Sequence, residues 1–368
     1  ARWHAPVKLA VLGGGQARAV IAGAAPQRVT IPGCGPLVIN AGQGSYLRVR
    51  YSDAGLAALT GRFTQLSVDD RLGLLADTQA LALAGQLPMG AWLELMRQVP
   101  AQQDPLVIRM LIDQLTDLDN LQAGRPAHAA FRAFARGLLA PILARVGWEA
   151  GAHDSGDAAT LRVELIVALG TFDDDAVVAE AGRRFQRFLA DPASLQGDAR
   201  EAVLTVVAIR ADAHDWDTLH ALAKAATTEL EKAKYYEWLG YAHDDAQARR
   251  ALALAVSGEP PVTIAGRLLR SLGITHPALT LDFVSEHWAA VEPLFGEGAG
   301  ATIAARFFDT GAECAMLPRL DAFVAAHVPA ATRERIVKNA ALIRYRAGVR
   351  EQRLPQADQW IAAHAAPR

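Results

Sequence analysis

The feature that most constrains the fold is a change of apolar period near residue 52. Up to about residue 51, apolar side chains alternate in short runs; beyond it they recur every third or fourth residue. A period of two places successive side chains on opposite faces of a strand, whereas a period of 3.6 builds one stripe along a helix. The pattern therefore predicts a β-region at 1–52 and a helical region at 53–368.

Five strands are predicted in the first region, separated by turns rich in Gly and Pro: VKLAVL, ARAVIAG, RVTI, LVIN and YLRVRY. Short strands with this punctuation indicate a β-sandwich, and five are few for a complete one. The triple glycine at 13–15 is predicted to be a hairpin turn. A phosphate-binding loop is excluded, because Arg18 stands where that motif needs glycine and no helix is predicted to follow.

About sixteen helices are predicted in the second region. Ser67 and Asp70 form a capping box at the start of one of them, and Gly85 ends it. Helix pairs recur about every 40 residues, the repeat length of HEAT and armadillo proteins, which stack into a superhelix. The predicted fold class is mainly α: a HEAT/armadillo-like α-superhelix preceded by a small partial β-sandwich.

Composition and charge argue against several classes of protein. A net charge of −2 lacks the basic excess of a nucleic-acid binder. No apolar run approaches the roughly 20 residues that span a membrane, so we expect no membrane partner. A cytoplasmic or a periplasmic location stays open. Cys34 and Cys314 are isolated, and we expect both to be free thiols.

No motif of a self-sufficient catalytic or metal site occurs in the sequence. H-E-x-x-H is absent, and His214 and His220 are six residues apart, a spacing that no helical zinc site uses. G-x-S-x-G and Walker motifs are also absent. The acidic runs at 172–175 and 243–245 are predicted to be helix N-caps, and the tryptophans to pack in the core. We therefore predict no catalytic and no metal-binding residue.

One group of charges has the spacing of a binding surface. Four arginines are predicted to share a stripe of the penultimate long helix: Arg335, Arg346, Arg350 and Arg353. On a concave surface they would attract carboxylates, such as the C-terminus of a peptide substrate. The alternative is a solvated helix face, with Glu334 and Glu351 nearby.

The stretch around the change of period resembles a junction in zinc aminopeptidases of the aminopeptidase N class, where a sandwich domain meets the helical C-terminal domain. The matching residues of the pattern N-x-G-Q-x-G-[FY]-Y-R-V-x-Y are Asn40, Gly42, Gln43, Tyr46, Arg48, Val49 and Tyr51. Ser45 and Leu47 depart from it. The succeeding signature D-R-x-x-L-x-x-D-x-x-x-L-x-x-x-G is matched by Asp70, Arg71, Leu74, Asp77, Leu81 and Gly85. Trp3 and Pro6 match an earlier W-x-[IV]-P strand.

The resemblance implies the C-terminal, substrate-enclosing region of a zinc-dependent aminopeptidase. The catalytic zinc would be held by an upstream H-E-x-x-H domain, so no cofactor is expected in this chain itself. The implied partners are that upstream domain of the same polypeptide and peptide substrates. The resemblance also implies that the first sandwich strands are missing, which predicts an unpaired sheet edge near residues 5–12.

Two other classes of function remain open. A stand-alone helical-repeat scaffold that binds a protein partner would need its own capped N-terminus and a large apolar groove. An enzyme with an unrecognised site would need a deep pocket with converging titratable groups.

Overall fold

The fold is mainly helical, with a small sheet at the N-terminal end. The computed structural model describes residues 4–149, 151, 155–296, 300–305, 307–308 and 310–364, without the side chains of Ile303 and Arg335. Helices hold 67% of the chain, which confirms the predicted fold class. The superhelical arrangement of the helices stays a prediction. Trp3 of the predicted W-x-[IV]-P strand lies outside the described residues.

Three strands and eighteen α-helices form within the described ranges, two helices more than the predicted sixteen. The strands are β1 Ala5–Val11, β2 Arg18–Ala22 and β3 Leu37–Ile39. The helices are α1 Asp53–Thr60, α2 Val68–Leu83, α3 Met89–Arg97, α4 Pro105–Gln122, α5 His128–Val146, α6 Gly156–Thr171, α7 Asp175–Ala190, α8 Gly197–Arg210, α9 Ala213–Ala225, α10 Glu229–Trp238, α11 Asp245–Ala255, α12 Val262–Thr275, α13 Pro277–Glu286, α14 Trp288–Val291, α15 Gly300–Ala304, α16 Met316–His327, α17 Glu334–Gln352 and α18 Leu354–His364.

The strand β1 lies in the centre of the sheet, whose order is β2-β1-β3. It pairs antiparallel with β2 over Ala5–Leu9 and with β3 over Leu9–Val11. The hairpin turn at 13–15 is confirmed, with Gly13 at φ +72°. The predicted unpaired edge near residues 5–12 is wrong for Leu9–Val11, which β3 covers; on that side of β1, no described strand pairs with Ala5–Lys8.

Two of the five predicted strands do not form. RVTI at 28–31 lies between Pro26 and Pro32, outside the sheet. Arg18 of β2 contacts it through a side-chain hydrogen bond, which Nη1 donates to Thr30 O at 2.7 Å. The second is YLRVRY, residues 46–51, which we call the junction segment. Its burial alternates as in a strand, but it belongs to no β-ladder.

The junction segment is fixed by a carboxylate of α2 instead of a neighbouring strand. Asp77 Oδ2 accepts the main-chain amide of Val49 at 3.0 Å, and Oδ1 accepts Arg48 Nη1 at 3.1 Å. Asp77 is only 5% exposed. At the end of the segment, the Tyr51 hydroxyl accepts the amide of Ile39 in β3 at 2.9 Å. Burial raises the pKa of Tyr51, so its hydroxyl keeps its proton.

The turn before the junction segment lies on the same face of α2. Gly42 donates its amide to Asp70 Oδ1 at 2.7 Å, and the Gln43 side chain lies directly against Gly73. A Cβ on Gly73 would come within 2.1 Å of Gln43 Nε2, so no larger residue fits there without displacing Gln43. The two signature stretches matched in the sequence are therefore in direct contact.

The predicted helix ends are confirmed on α2. The Ser67 hydroxyl accepts the amide of Asp70 at 3.2 Å, and the Asp70 carboxylate accepts the Ser67 hydroxyl at 2.7 Å. At the other end Gly85 has φ +74°. The bonds from Gly85 N to Ala82 O and from Gln86 N to Leu81 O complete a Schellman motif.

Other local predictions are confirmed among the described residues. Asp174 caps α7 and Asp244 caps α11 through their carboxylates. The two cysteines are free and exposed. Four tryptophans pack in the core as predicted, each with less than a tenth of its surface exposed: Trp92, Trp216, Trp238 and Trp288. Trp148 and Trp360 are half-buried.

The chain divides into two compact units. The first comprises Ala1–Leu118, Ala129–Val146 and Arg353–Arg368, and the second comprises Asp119–His128 and Gly147–Gln352. In the first unit, the fully buried Trp92 donates its indole N–H to Gln114 Oε1 at 2.8 Å. In the second, α6 and α8 approach so closely that Gly170 lies against Val206. The predicted domain boundary between residues 52 and 53 stays a prediction.

We expect Asp77→Ala to lower the free energy of unfolding by about 2–3 kcal/mol, since it leaves the buried Val49 amide without an acceptor and removes a charged hydrogen bond. Urea unfolding followed by circular dichroism measures the change. Asp69→Ala, an exposed site in the first turn of the same helix, is the matched control and should cost less than about 1 kcal/mol. Equal losses in the two variants would contradict the role given to Asp77.

Candidate functional site

The predicted arginine stripe is not continuous in the structure. Arg346 and Arg350 lie four residues apart on α17, and both are half-buried. The backbone of Arg335 belongs to α17, but its side chain lies outside the described residues. The placement of Arg353 on the same helix is wrong, because α17 ends at Gln352 and α18 begins at Leu354.

Arg353 has a local role in the first unit. Its guanidinium lies against Gly85, and a Cβ on that glycine would come within 2.1 Å of Arg353 Nη2. The left-handed backbone of Gly85 and the packing of Arg353 therefore both favour glycine at this helix end.

Two arginines of the second unit, Arg350 and Arg125, bind main-chain carbonyls at the C-terminal ends of α4 and α17, respectively. Arg350 Nη1 donates to Leu121 O at 3.0 Å and to Ala123 O at 2.7 Å, at the C-terminus of α4. In return, Arg125 Nη1 donates to Arg350 O at 3.1 Å, near the C-terminus of α17. A cation at a helix C-terminus satisfies carbonyls that have no partner within the helix and complements the helix dipole. We call this pair the arginine clasp.

A cleft of about 250 Å³ opens beside the clasp, within the second unit. Four of its lining residues carry the chemistry discussed below: Asp245, His276, Glu313 and Arg350. They come from segments far apart in the sequence, so the cleft is a product of the tertiary packing of this unit.

The cleft offers hydrogen-bond donors to an anion at two places. Arg350 Nε and Nη2 have no hydrogen-bond partner among the described residues. At the start of α13, Pro277 occupies the first turn and the preceding residue gives no side-chain cap. The amides of Ala278 and Leu279 therefore lie at the positive end of a helix dipole, with no acceptor within the described chain.

Acidic groups balance this positive potential. Asp245 and the exposed Glu313 line the same cleft. Burial lowers the pKa of Arg350, Glu313 opposes that shift and Arg125 adds to it. Because the ordinary pKa of arginine is so high, Arg350 stays charged under physiological conditions. The cleft is therefore mixed in charge, with its cation fixed in place by the clasp.

His276 forms a buried wall of the cleft. Its Nε2 donates to His243 O at 3.3 Å, and its Nδ1 lies 3.0 Å from Thr275 Oγ1. Burial lowers the pKa of His276; the carbonyl of His243 and the carboxylates of Asp245 and Asp244 oppose the shift without cancelling it. A neutral imidazole with both nitrogens engaged suits a structural role more than proton transfer.

Sequence reasoning missed most of this site. His276 immediately precedes Pro277, and a proline at the first position of a helix is a recognisable start signal. Arg125 gave no comparable signal, because its partner carbonyl lies 225 residues further along the chain. Of the cleft residues named here, Arg350 alone was among the predicted binding residues.

The described residues do not fit a metal site. No group of three or more His, Cys, Asp or Glu side chains among them is arranged to hold a metal ion. A zinc ion bound by protein needs three or four such ligands. Nor is any helix in the described ranges both long and apolar enough to cross a membrane.

Comparison with known proteins identifies relatives over most of the chain. The sequence model of the ERAP1-like C-terminal domain matches residues 37–342. Aminopeptidase M1-A of Oryza sativa subsp. japonica is 26% identical over 266 residues, which cover 70% of this chain and 30% of that protein. Aminopeptidase M1 of Arabidopsis thaliana is 26% identical over 275 residues, covering 72% and 31%. Aminopeptidase 2 of Candida albicans is 27% identical over 194 residues, covering 51% and 20%. The match to the two plant proteins thus spans about 30% of their length.

We expect His276 to make the protein less stable in mild acid. Its pKa in the folded state lies below the value of about 6.5 in an unfolded chain. As the pH falls, protons therefore bind the unfolded state first, and stability present above pH about 6.5 is lost below it. Urea unfolding at pH 7.5 and 5.5 should show a smaller loss in His276→Gln than in the wild type. His214→Gln, at an exposed site, should lose as much as the wild type; an identical loss in all three proteins would contradict this assignment.

Proposed function

Because the chain belongs to the ERAP1-like C-terminal domain family, we propose that it is the substrate-enclosing accessory region of a zinc-dependent aminopeptidase. The parent enzyme removes N-terminal residues from peptides. In this proposal the zinc, its ligands and the general base belong to an upstream catalytic domain of the same polypeptide. The present chain contributes the walls of the substrate cavity and contacts to the parts of the peptide remote from the scissile bond.

The observation that carries the proposal is the family match over residues 37–342. Two further observations support it. Relatives in plants and a yeast are named aminopeptidases, and the matched part of this chain accounts for 20–31% of their length. The sequence has no H-E-x-x-H motif, which is consistent with a catalytic centre in another part of the polypeptide.

Within this function, Arg350 is the residue best placed to bind the C-terminal carboxylate of a peptide. Its Nε and Nη2 form a planar pair of donors of the kind that binds carboxylates bidentately. The clasp fixes the guanidinium through Nη1, so little side-chain entropy remains to be lost on binding. The amides at the start of α13 add donors of the same polarity. Arg346 is an additional candidate, and the binding role of Arg335 and Arg353 stays a prediction.

The first test compares this chain with its parent polypeptide on aminoacyl-amide dyes, with zinc content measured by elemental analysis. We expect turnover and about one zinc per molecule for the parent, and neither for the chain alone, because the described residues hold no metal cluster. Chelation and zinc repletion of the parent serve as the control. An inactive parent, or zinc-dependent turnover by this chain, would overturn the proposal.

The second test concerns Arg350 and uses matched peptides that end in a free carboxylate or an amide. In the parent enzyme, Arg350→Gln should lower kcat/KM for the free acid by about tenfold or more, since a charged hydrogen bond is lost. The amide should be affected much less. A merely structural defect, such as loss of the clasp, would lower both equally and would contradict the binding role. Arg344→Gln, on the exposed side of α17, is the control.

A further inference from the structure

The cleft beside the arginine clasp contains charges of both signs, and they come from different segments of the second unit. Its cation, Arg350, belongs to α17 and is held by the carbonyls of Leu121 and Ala123. Its carboxylates come from elsewhere: Asp245 begins α11, and Glu313 lies between α15 and α16. A ligand that enters this cleft therefore meets a fixed guanidinium and two carboxylates.

Both carboxylates keep hydrogen-bonding capacity for a ligand. Glu313 is exposed, and no described residue forms a hydrogen bond with its side chain. It lies near enough to Arg350 to favour the charged guanidinium and raise its pKa, but the two side chains do not bond to each other. The Asp245 side chain is 76% exposed and lies 3.6 Å from Nε2 of His276, whose pKa is lowered by burial. A neutral imidazole leaves the charge of Asp245 uncompensated.

The cleft also has an apolar wall and room for little more than one residue. The wall includes Leu279, Met316 and Ile274, which is 51% exposed. A long basic side chain packs its methylene stem on such a surface and keeps its charged end in polar surroundings. The volume of about 250 Å³ is smaller than the roughly 300–1,000 Å³ of pockets for drug-sized ligands. The cleft therefore suits the last residue of a peptide and not a longer stretch.

Charge distinguishes the possible last residues of a peptide. A terminal Asp or Glu would bring a further anion beside Glu313 and Asp245, and the juxtaposition of like charges is unfavourable. A terminal Leu or Phe would cover the apolar wall, but it would displace water from the two carboxylates without replacing the lost hydrogen bonds. A terminal Lys or Arg satisfies the guanidinium with its carboxylate, the wall with its stem and the two acidic groups with its cation.

We propose that the cleft selects peptides whose last residue is Lys or Arg, and that Glu313 and Asp245 determine this preference. The proposal rests on the proposed function, in which Arg350 binds the C-terminal carboxylate, and adds the chemistry of the last side chain. The two signs of charge in the cleft then serve the two charged groups of one residue. Ligands that carry only negative charge are disfavoured, because Glu313 lies near the cation that would bind them.

Binding to the chain alone tests this preference without requiring catalysis. The probes are N-acetylated Ala-Ala-Lys, Ala-Ala-Leu and Ala-Ala-Glu, titrated at low salt while NMR follows the arginine Nε–H signals. The signal of Arg350, identified by its loss in Arg350→Gln, should shift. We expect the Lys peptide to bind at least about fivefold more tightly than the Glu peptide, with the Leu peptide between them. Equal affinities, tightest binding of the Leu or Glu peptide, or no detectable binding would overturn the proposal.

Charge reversal at Glu313 separates recognition of the side chain from a structural defect. Glu313→Lys should weaken binding of the Lys peptide and strengthen binding of the Glu peptide, each by about fivefold, because the sign of the local charge is inverted. A folding defect would weaken both. Glu286→Lys, at an exposed site of α13 that does not line the cleft, changes the net charge equally and should preserve the ranking. An unchanged ranking in Glu313→Lys, or the same inversion in Glu286→Lys, would contradict the proposal.

The parent polypeptide distinguishes failure of this proposal from failure of the proposed function. Its kcat/KM for matched substrates should follow the same order of last residues. An active parent that discriminates a free acid from an amide through Arg350, but treats terminal Lys, Leu and Glu equally, would refute the selectivity alone. A chain that ranks the three tripeptides as expected, beside an inactive parent, would refute the aminopeptidase function alone.

Discussion

The buried carboxylate of Asp77 holds the change from strands to helices in place. It accepts the Val49 amide and the Arg48 guanidinium from one face of α2, on which Gly73 and Asp70 also receive the preceding turn. Burying a carboxylate is costly unless its charge and lone pairs are satisfied, and here both oxygens have donors. The register of the junction segment therefore depends on a helix side chain, where a strand would ordinarily depend on its neighbours.

At the arginine clasp too, side chains supply the hydrogen bonds that main-chain groups lack locally. Two helix C-termini lack intrahelical partners for their last carbonyls, and each receives a guanidinium from a residue near the other. The clasp fixes one nitrogen of Arg350 and leaves two available to the cleft. A binding group that is already held in position loses less entropy when a ligand arrives, so Arg350 is better suited than an exposed arginine to the carboxylate binding that we propose.

Local features were predictable because their causes are local. The caps at Ser67, Asp174 and Asp244 and the ending at Gly85 depend on residues within one turn of each other. The strand prediction for 46–51 failed for a different reason. Alternation reports which side chains are buried, whereas a ladder also requires a neighbouring main chain, and no described strand lies beside that segment. The stripe prediction failed at Arg353 because the helix stops one residue earlier.

The sequence by itself determined the fold class, the start of the helical part at Asp53 and the family, since periodicity and ordered motifs are properties of neighbouring residues. Only the tertiary structure decided that β1 lies in the centre of the sheet and that Asp77, instead of a neighbouring strand, binds the junction segment. It also decided that Arg350, His276 and Glu313 line one cleft. Those facts depend on contacts between residues up to 229 positions apart. No local pattern encodes such a contact, because it forms only when helices pack.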